Sequence, residues 1–566
     1  MQDRSAISSY ASIDSDASSI QVIGTVFPAI FLTVAILVSL TCAARMVEEE
    51  RGLVGLYKAL GYGRAPIMAK YVSYTVGAAL LGGTMGSVLG FIALPKFLFT
   101  VFEVMYTLPV MTLHFDAALC ALAVGMFVIG IGAATALTVR SELAEQPATL
   151  MRPRAPRAGT RILLERIPLV WGRLSFLGKV CARNLFRYRK RLAMTVAGVA
   201  GCTALMISGF AIADTVLALA PNQYGGNGRP GVTTYDLLAV VQPSDIEDAA
   251  TTFTDSPEVT DYIPVRTENV TIEHDGAKET VQLVVVPNGF SLESYVNLHT
   301  KSGEHLTLDN ATTGPDGTTG TMDDGVIATV NASVVLGFGA GDELTLQDAA
   351  LRQATVTVDD VAMSYLGNAV YLTQDTYERI FGEALQPNAL MAHLSGTAEE
   401  QIAFKDSLTD DPIYLSLTST QEGARDFTAN FVLIDYVVVL ITALAAGLSF
   451  VVLFTLSTTN ISERDRELAT IKVLGFRRGE IRTYVNKELL ILAGLGTIAG
   501  IPLGTLMAHA LTYVLNMPSM YFAVEVSPLS YVWSCSLSMV FAITTCLITN
   551  RSLDRIDMVG ALKSAE

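Results

Sequence analysis

Apolar runs of the length a bilayer requires, about 20 residues, recur seven times along the chain. They lie near 24–44, 71–95, 117–139, 192–213, 431–456, 488–514 and 530–549. Between the fourth and fifth lies a different pattern, 214–430, where short apolar runs alternate with acidic residues and turn formers. The whole predicts a polytopic α-helical membrane protein of seven spans with one large α+β extracytoplasmic domain. Within that domain strands are expected at 235–241, 281–287, 343–346, 354–358 and 369–372, and helices at 375–381 and 398–408.

Lysine and arginine orient the spans, because cytoplasmic loops retain them. Segments 45–70, 140–191, 457–487 and 550–566 hold five, thirteen, seven and three. Segment 96–116 holds Lys96 alone, 515–529 none, and 214–430 eight against 33 Asp and Glu. Seven spans then alternate without conflict. Residues 1–23 and the acidic domain lie outside, and the basic segments and C-terminus inside, in a multi-pass bacterial-type plasma membrane. Only 16% of the chain is charged, against roughly a quarter in soluble proteins, so lipid is the expected solvent. The net charge of −16 is unevenly placed. The basic run 176–191, with Lys179, Arg183, Arg187 and Arg189 among apolar residues, abuts span four. It suits a helix in the inner membrane interface rather than a nucleic-acid site.

The sequence repeats itself. KALGY at 58–62 returns as KVLGF at 472–476, a shift of 414 that also carries Ile67 onto Ile481 and Gly82, Gly86 and Gly90 onto Gly496, Gly500 and Gly504. Two related bundles result: 24–150, with three spans, and 431–566, with three spans and a tail. A basic linker (151–191), span four (192–213) and the acidic domain (214–430) stand between them. Counting span four, the second bundle has four spans and the first three. Residues 1–23 occupy the place that 417–430 hold before span five. The expected reading is a chain lacking its first span and first outer domain; a chain that starts outside without a leader is the alternative.

Each Lys-Leu-Gly copy follows a span and a charged run. Leu53, Leu56, Tyr57 and Leu60 recur at helical spacing, as do Leu468, Ile471 and Leu474. Gly61 and Gly475 suit helix C-caps, and Lys58 and Lys472 fall in last turns, where cations are favoured. Two short amphipathic helices on the inner face are expected. Such a helix either packs on its own bundle or docks a cytosolic partner. Duplication favours docking, since two equivalent knobs match a two-fold symmetric partner. The docking residues would be Glu50, Arg51, Leu56, Lys58, Leu60 and Gly61, then Arg464, Arg466, Ile471, Lys472, Leu474 and Gly475. The exposed faces would carry Glu49, Glu50 and Arg51 in one copy and Arg464, Asp465 and Arg466 in the other. The two glycine ladders read as helix-packing surfaces, because small residues every fourth position let backbones approach closely. Residues 143–151 and 556–563 are a weaker echo of the duplication.

Chemistry is sparse. No GxxxxGK[ST], HExxH or GxSxG pattern occurs. The six cysteines avoid 214–430, and the six histidines have no metal-like spacing. Gly337, Gly339 and Gly341 read as turns, and the Asp/Gly/Thr segment 309–325 as a solvated loop. Asp435 and His509 lie in spans, where ionisable groups are functional candidates. The chain is therefore not expected to be an enzyme or to bind a cofactor or metal. A membrane machine that uses energy would need a separate engine.

These features resemble the FtsX-like permeases of ATP-binding-cassette systems, the MacB-type group. The motifs carrying the resemblance are Glu50-Arg51 through Lys58-Ala-Leu-Gly61, Arg464-Asp-Arg-Glu467 through Lys472-Val-Leu-Gly475, and Arg183-Asn-Leu-Phe-Arg187-Tyr-Arg189 before span four. The likeness covers the membrane portions and is weak in the outer domain. It is to the long, double-bundle form, minus its first span and first outer domain. The resemblance implies two copies of a separate ATPase, holding ATP and magnesium, that dock under the Lys-Leu-Gly helices and move the outer domain by mechanotransmission. Three functions follow. The first is a permease subunit that exports or extracts a lipidic or peptide cargo. The second is a regulator of a cell-wall hydrolase or sensor kinase that moves no cargo. The third is a passive adhesion protein, against which the twin helices argue.

Overall fold

The computed structural model describes residues 50–105, 115–151, 189–226, 230–308, 325–348, 350–430, 432–463, 475–514 and 520–554, with isolated positions at 32, 35–36, 39, 43, 46–47, 179, 183 and 472–473. Two compact units emerge. One holds Ile212–Asp435 and Thr512–Glu525; the other holds the helical segments up to Ala211, Tyr436–Leu511 and the chain after Val526.

The described chain begins with a short helix, α1 (Arg51–Ala59), then α2 (Arg64–Met105), α3 (Ala117–Glu142), the one-turn α4 (Pro147–Met151) and α5 (Arg189–Leu217). Asp116 caps α3 by accepting from the amides of Ala118 and Leu119, which satisfies donors a helix start leaves bare. Among the described residues five helices are long and apolar enough to cross a membrane: Arg64–Lys96, Ala117–Arg140, Thr195–Tyr224, Arg478–Thr512 and Pro528–Arg551. Sequence reading expects seven. The span expected at 24–44 falls largely outside the described residues. The one expected at 431–456 lies in the helix Val432–Glu463, whose described apolar stretch is the shorter Thr442–Thr455.

The acidic domain starts with α6 (Leu219–Tyr224) and β1 (Leu237–Val241), then α7 (Ile246–Asp255), β2 (Val259–His274), β3 (Ala277–Val286), β4 (Gly325–Thr329), α8 (Val330–Leu336), β5 (Glu343–Gln347), β6 (Gln353–Ala362), β7 (Ala369–Thr373), α9 (Gln374–Phe381), β8 (Ala389–Leu394), α10 (Ala398–Leu408), β9 (Tyr414–Ser419) and α11 (Thr420–Asn430). Strand β2 joins two sheets. Its first half pairs only with β8, in the order β2-β8-β1-β9. Its second half pairs with β3 and β5, and the ring β2-β3-β7-β4-β6-β5 closes on itself. Val270, Leu283, Val326, Leu344, Val356 and Leu372 fill that ring. Helices α7 and α10 cover the smaller sheet through Phe253 and Leu408. A capping box between Thr397 and Glu400 starts α10, a pairing that satisfies two bare donors at once. Gly337 ends α8 and Gly341 lies in the next turn, both at positive φ, as the turn reading of that glycine run expects.

After α11 come α12 (Val432–Glu463), α13 (Arg478–Val514) and α14 (Pro528–Asp554). Helices α2 and α13 begin at equivalent positions of the repeat, Arg64 and Arg478. Their glycine ladders meet different fates. A methyl group added at Gly496, Gly500 or Gly504 would lie 2.5, 2.6 and 2.7 Å from the Cβ atoms of Val199, Thr203 and Ile207 on α5. Thr203 also bonds Ser538 of α14, Oγ1 to Oγ, at 2.8 Å. Gly82, Gly86 and Gly90 are exposed, and a methyl group added at any of them meets nothing within 4 Å. Helix α2 instead packs on α3 elsewhere, where Gly83 faces Val124 and Gly132 faces Val76, both at 3.2 Å from an added methyl.

This contrast makes a prediction. Gly500→Ala forces a methyl into α5, a kind of overpacking that costs about 1–3 kcal/mol, and should lower the thermal midpoint of the detergent-solubilised chain. Gly86→Ala gains helix propensity, up to about 1 kcal/mol, without a clash, and should leave the midpoint unchanged or raised.

Candidate functional site

Nine residues make a helix too short to persist alone in water, so α1 must be held from outside. Its inner face is Arg51, Val54 and Gly55, all buried, with Lys58 half-buried. Val54 joins Val47, Ile67, Tyr71, Val139, Leu143 and Leu150 in one apolar cluster. Gly55 admits α4, since a methyl there would lie 2.8 Å from Met151 Cγ and 3.0 Å from Leu150 Cβ.

Polar ties add direction. Arg51 pairs with Glu145. The Lys58 ammonium donates to the carbonyl of Leu143 at 3.0 Å and to that of Glu145, neutralising carbonyls that the end of α3 leaves unpaired. Glu50 accepts from Lys70 Nζ at 2.7 Å and from the Tyr71 hydroxyl at 2.9 Å. The hydrogen bond from Lys70, then that from Tyr71, holds the Glu50 carboxyl below its ordinary 4.5. Thus α1 is clamped to α2 through Glu50 and to the α3–α4 junction through Arg51 and Lys58.

The helix closes by a specific turn. Gly61 takes φ +88° and donates to the carbonyl of Lys58 at 3.1 Å, while Tyr62 N donates to Tyr57 O at 3.0 Å. These two bonds form a Schellman motif, whose left-handed position suits glycine. In the second copy Gly475 takes φ +94° and donates to the carbonyl of Lys472 at 3.2 Å. The Lys-x-Leu-Gly spacing therefore encodes one turn, made twice.

The open face of α1 differs from expectation. Glu50 and Arg51 were expected there, but Arg51 is 8% exposed on Glu145 and Glu50 is turned to Lys70 and Tyr71. Buried guanidinium and carboxylate groups need partners, and these partners lie on the bundle side. Leu53, Leu56 and Leu60 form the exposed strip instead, at 44%, 42% and 66% exposure, with Tyr62 beyond them. In the second copy Val473, Gly475 and Phe476 are exposed and Lys472 is half-buried. Glu49, Arg464, Asp465, Arg466, Ile471 and Leu474 lie outside the described residues. Sequence reading overlooked Glu145, Lys70 and Tyr71. The one available signal is that Glu145 falls in the 143–151 segment that the duplication marks.

The acidic unit has its own knot at the end of α5. The buried side chain of Gln223, on α6, accepts from the amides of Tyr365 (2.8 Å) and Leu366 (3.1 Å) and donates to Thr233 Oγ1 (2.9 Å). Tyr521 N donates to Tyr365 O at 3.0 Å, and Asn222 Nδ2 to Glu525 Oε1 at 3.0 Å. Helix α6 and the segment before α14 thereby both bond the loop at Tyr365 and each other, and Thr215 of α5 donates to the Glu525 carbonyl at 3.2 Å. Among the described residues no three His, Cys, Asp or Glu side chains gather as a metal site.

Comparison with known proteins bears on the two bundles. Residues 25–143 and 439–553 both match the family described as FtsX-like permease C-terminal. The matches start 414 positions apart, the shift of the internal repeat. A curated relative, the macrolide export ATP-binding/permease protein MacB of Hyphomonas neptunium, is 25% identical over 406 residues, covering 67% of this chain and 59% of that protein. The chain thus spans less than two thirds of that relative's length. Two solved structures also align at 11% identity. One is the extracellular domain of the noncanonic ABC-type transporter YknZ from Gram-positive bacteria, with 32% of this chain, 97% of that one and a TM-score of 0.21. The other is the periplasmic region of MacB from Actinobacillus actinomycetemcomitans, with 35%, 94% and 0.22. Two regions of the chain, one in each bundle, therefore match the FtsX-like permease family.

A pH dependence follows from the clamp. Because the Glu50 carboxyl titrates below 4.5 when folded, its contribution is fully present above the unfolded value and is lost as the pH falls through the folded one. Glu50→Gln should therefore lower the thermal midpoint at neutral pH, and the gap to the parent should close in acid below 4.5. The Glu50 side chain is 36% exposed, so screening keeps the effect small.

Proposed function

We propose that this chain, with its two FtsX-like permease regions, is the membrane subunit of an ATP-binding-cassette transporter driven by a separate ATPase. The observation that carries the reading is the exposed leucine strip on a helix clamped to two spans. Free apolar side chains in a row mark a docking surface, and a clamped base lets a push on that surface reach the spans. The recurrence of the Lys-x-Leu-Gly turn supplies the second knob. Two ATPase copies, holding ATP and magnesium, occupy the two knobs on the cytoplasmic side and close on each other. Helix α5 carries the movement onward to the knot around Gln223, so that the acidic domain moves on the far side. The cargo is a lipidic or peptide compound exported or extracted there. The relative's name, a macrolide export protein, makes macrolides the first compounds to try.

Apolar contact sets the test. Leu56→Asp or Leu53→Asp puts a charge into the docking surface without touching the buried face of α1. With the cognate ATPase reconstituted in proteoliposomes, either change should lower stimulated ATP hydrolysis by about tenfold or more, the scale of one desolvated hot-spot contact. Hydrolysis at the parent rate in both variants would remove the docking claim.

A further inference from the structure

We propose that His299 and His305 form a two-nitrogen site for a divalent transition-metal cation, copper(II) before nickel or zinc, on the acidic domain. This goes beyond ATPase coupling and does not depend on it. Residues 298–306 make a tight hairpin in which His299 and His305 stand directly opposite each other as an antiparallel bridge. The bonds beside them run from Thr300 N to Glu304 O at 2.8 Å and from Leu306 N to Leu298 O at 2.9 Å. The two histidines are therefore a non-hydrogen-bonded pair. Such a pair holds both side chains on one face at the closest cross-strand approach, with Cβ atoms about 4.5–5.5 Å apart. Spacing along the sequence does not reveal the pair; the turn creates it.

Both rings are prepared for a cation. His299 Nδ1 lies 2.9 Å from the carbonyl of Asn297. A carbonyl only accepts, so Nδ1 carries the proton and the neutral ring keeps its lone pair on Nε2. Metal-binding imidazoles are oriented by such a bond. His305 is exposed, and its ring makes no hydrogen bond among the described residues. The hairpin beneath them is fixed. Gly303 takes φ +86° and donates to Thr300 O at 2.9 Å, and Met363 N donates to His299 O at 2.8 Å. Leu298 is buried in an apolar cluster against which Leu306 and Leu308 also pack. The backbone that carries both rings is thus ordered before a cation arrives, which lowers the cost of binding. Imidazole nitrogen suits copper, nickel and zinc, and affinity for such a site peaks at copper. Calcium and magnesium want oxygen. Two protein ligands leave positions to water, unlike closed structural zinc sites with four, so the bound ion stays exchangeable. Met363 leads into the loop that bonds Gln223, so a bound cation would staple the hairpin on which that loop leans.

Copper(II) alone is the probe, titrated into the full-length chain in detergent after purification on a histidine-free tag. Equilibrium dialysis reads affinity, and electron paramagnetic resonance reads the number of imidazole nitrogens on the ion. The strongest-bound copper of the parent should carry two imidazole nitrogens. His305→Ala, at an exposed position, should keep the metal-free thermal midpoint. It should weaken uptake by about tenfold or more, the scale on which metal sites respond even to loss of a ligand's support, and its residual copper should carry one nitrogen. His299→Ala should do the same, whereas His274→Ala should match the parent. Equal uptake and an unchanged two-nitrogen spectrum in His305→Ala would overturn the proposal. So would copper that loses affinity equally in all three variants, since the ion would then be spread over scattered histidines.

Discussion

A half-buried ammonium reaching for carbonyls at the end of a neighbouring span is what fixes α1 in place. Lys58 does this at Leu143 and Glu145, and Arg51 and Glu50 tie the other end of the helix to Glu145, Lys70 and Tyr71. Without these ties a nine-residue helix lacks the hydrogen bonds to offset its ordering entropy. With them it becomes a rigid projection of the span bundle. The charges expected to meet a partner face the bundle and give the helix its stiffness. The leucines on the far side are left as the contact.

The repeat makes this arrangement legible from sequence, but only in part. The Lys-x-Leu-Gly spacing reads directly as a helix end, because only glycine takes φ +88° or +94° without strain. The inward aim of Arg51 does not read from sequence, since it depends on Glu145, 94 positions away. In the acidic domain the strands at Ala369–Thr373 and Glu343–Gln347 and the helix Ala398–Leu408 lie at or within a residue of their expected bounds. Strand β2 went unread because Pro264 and the charges at Asp261, Arg266 and Glu268 break its apolar pattern. The structure explains the tolerance: up to Val265, β2 is an edge strand that pairs only with β8, where a missing amide is harmless.

Equivalent sequences have also become inequivalent structures. Both glycine ladders look alike on paper, and sequence reading assigns both to helix packing. One is filled by α5, whereas a methyl added at any glycine of the other meets nothing within 4 Å. Repetition thus shows which residues recur, while what each copy packs against depends on its own neighbours. The same limit applies to the knot at Gln223, whose partners at Thr233 and at 364–366 come from distant turns with no periodic signature.

The account rests on the two Lys-x-Leu-Gly turns being paired handles on one membrane face. Single cysteines at Ala59 and Val473, both exposed, in a chain whose native cysteines are replaced, test this directly with a membrane-impermeant maleimide. The account predicts that neither position is labelled in intact cells and that both are labelled once the inner face is opened. Labelling of either one from outside, with the other protected, would place the handles on opposite faces and contradict it.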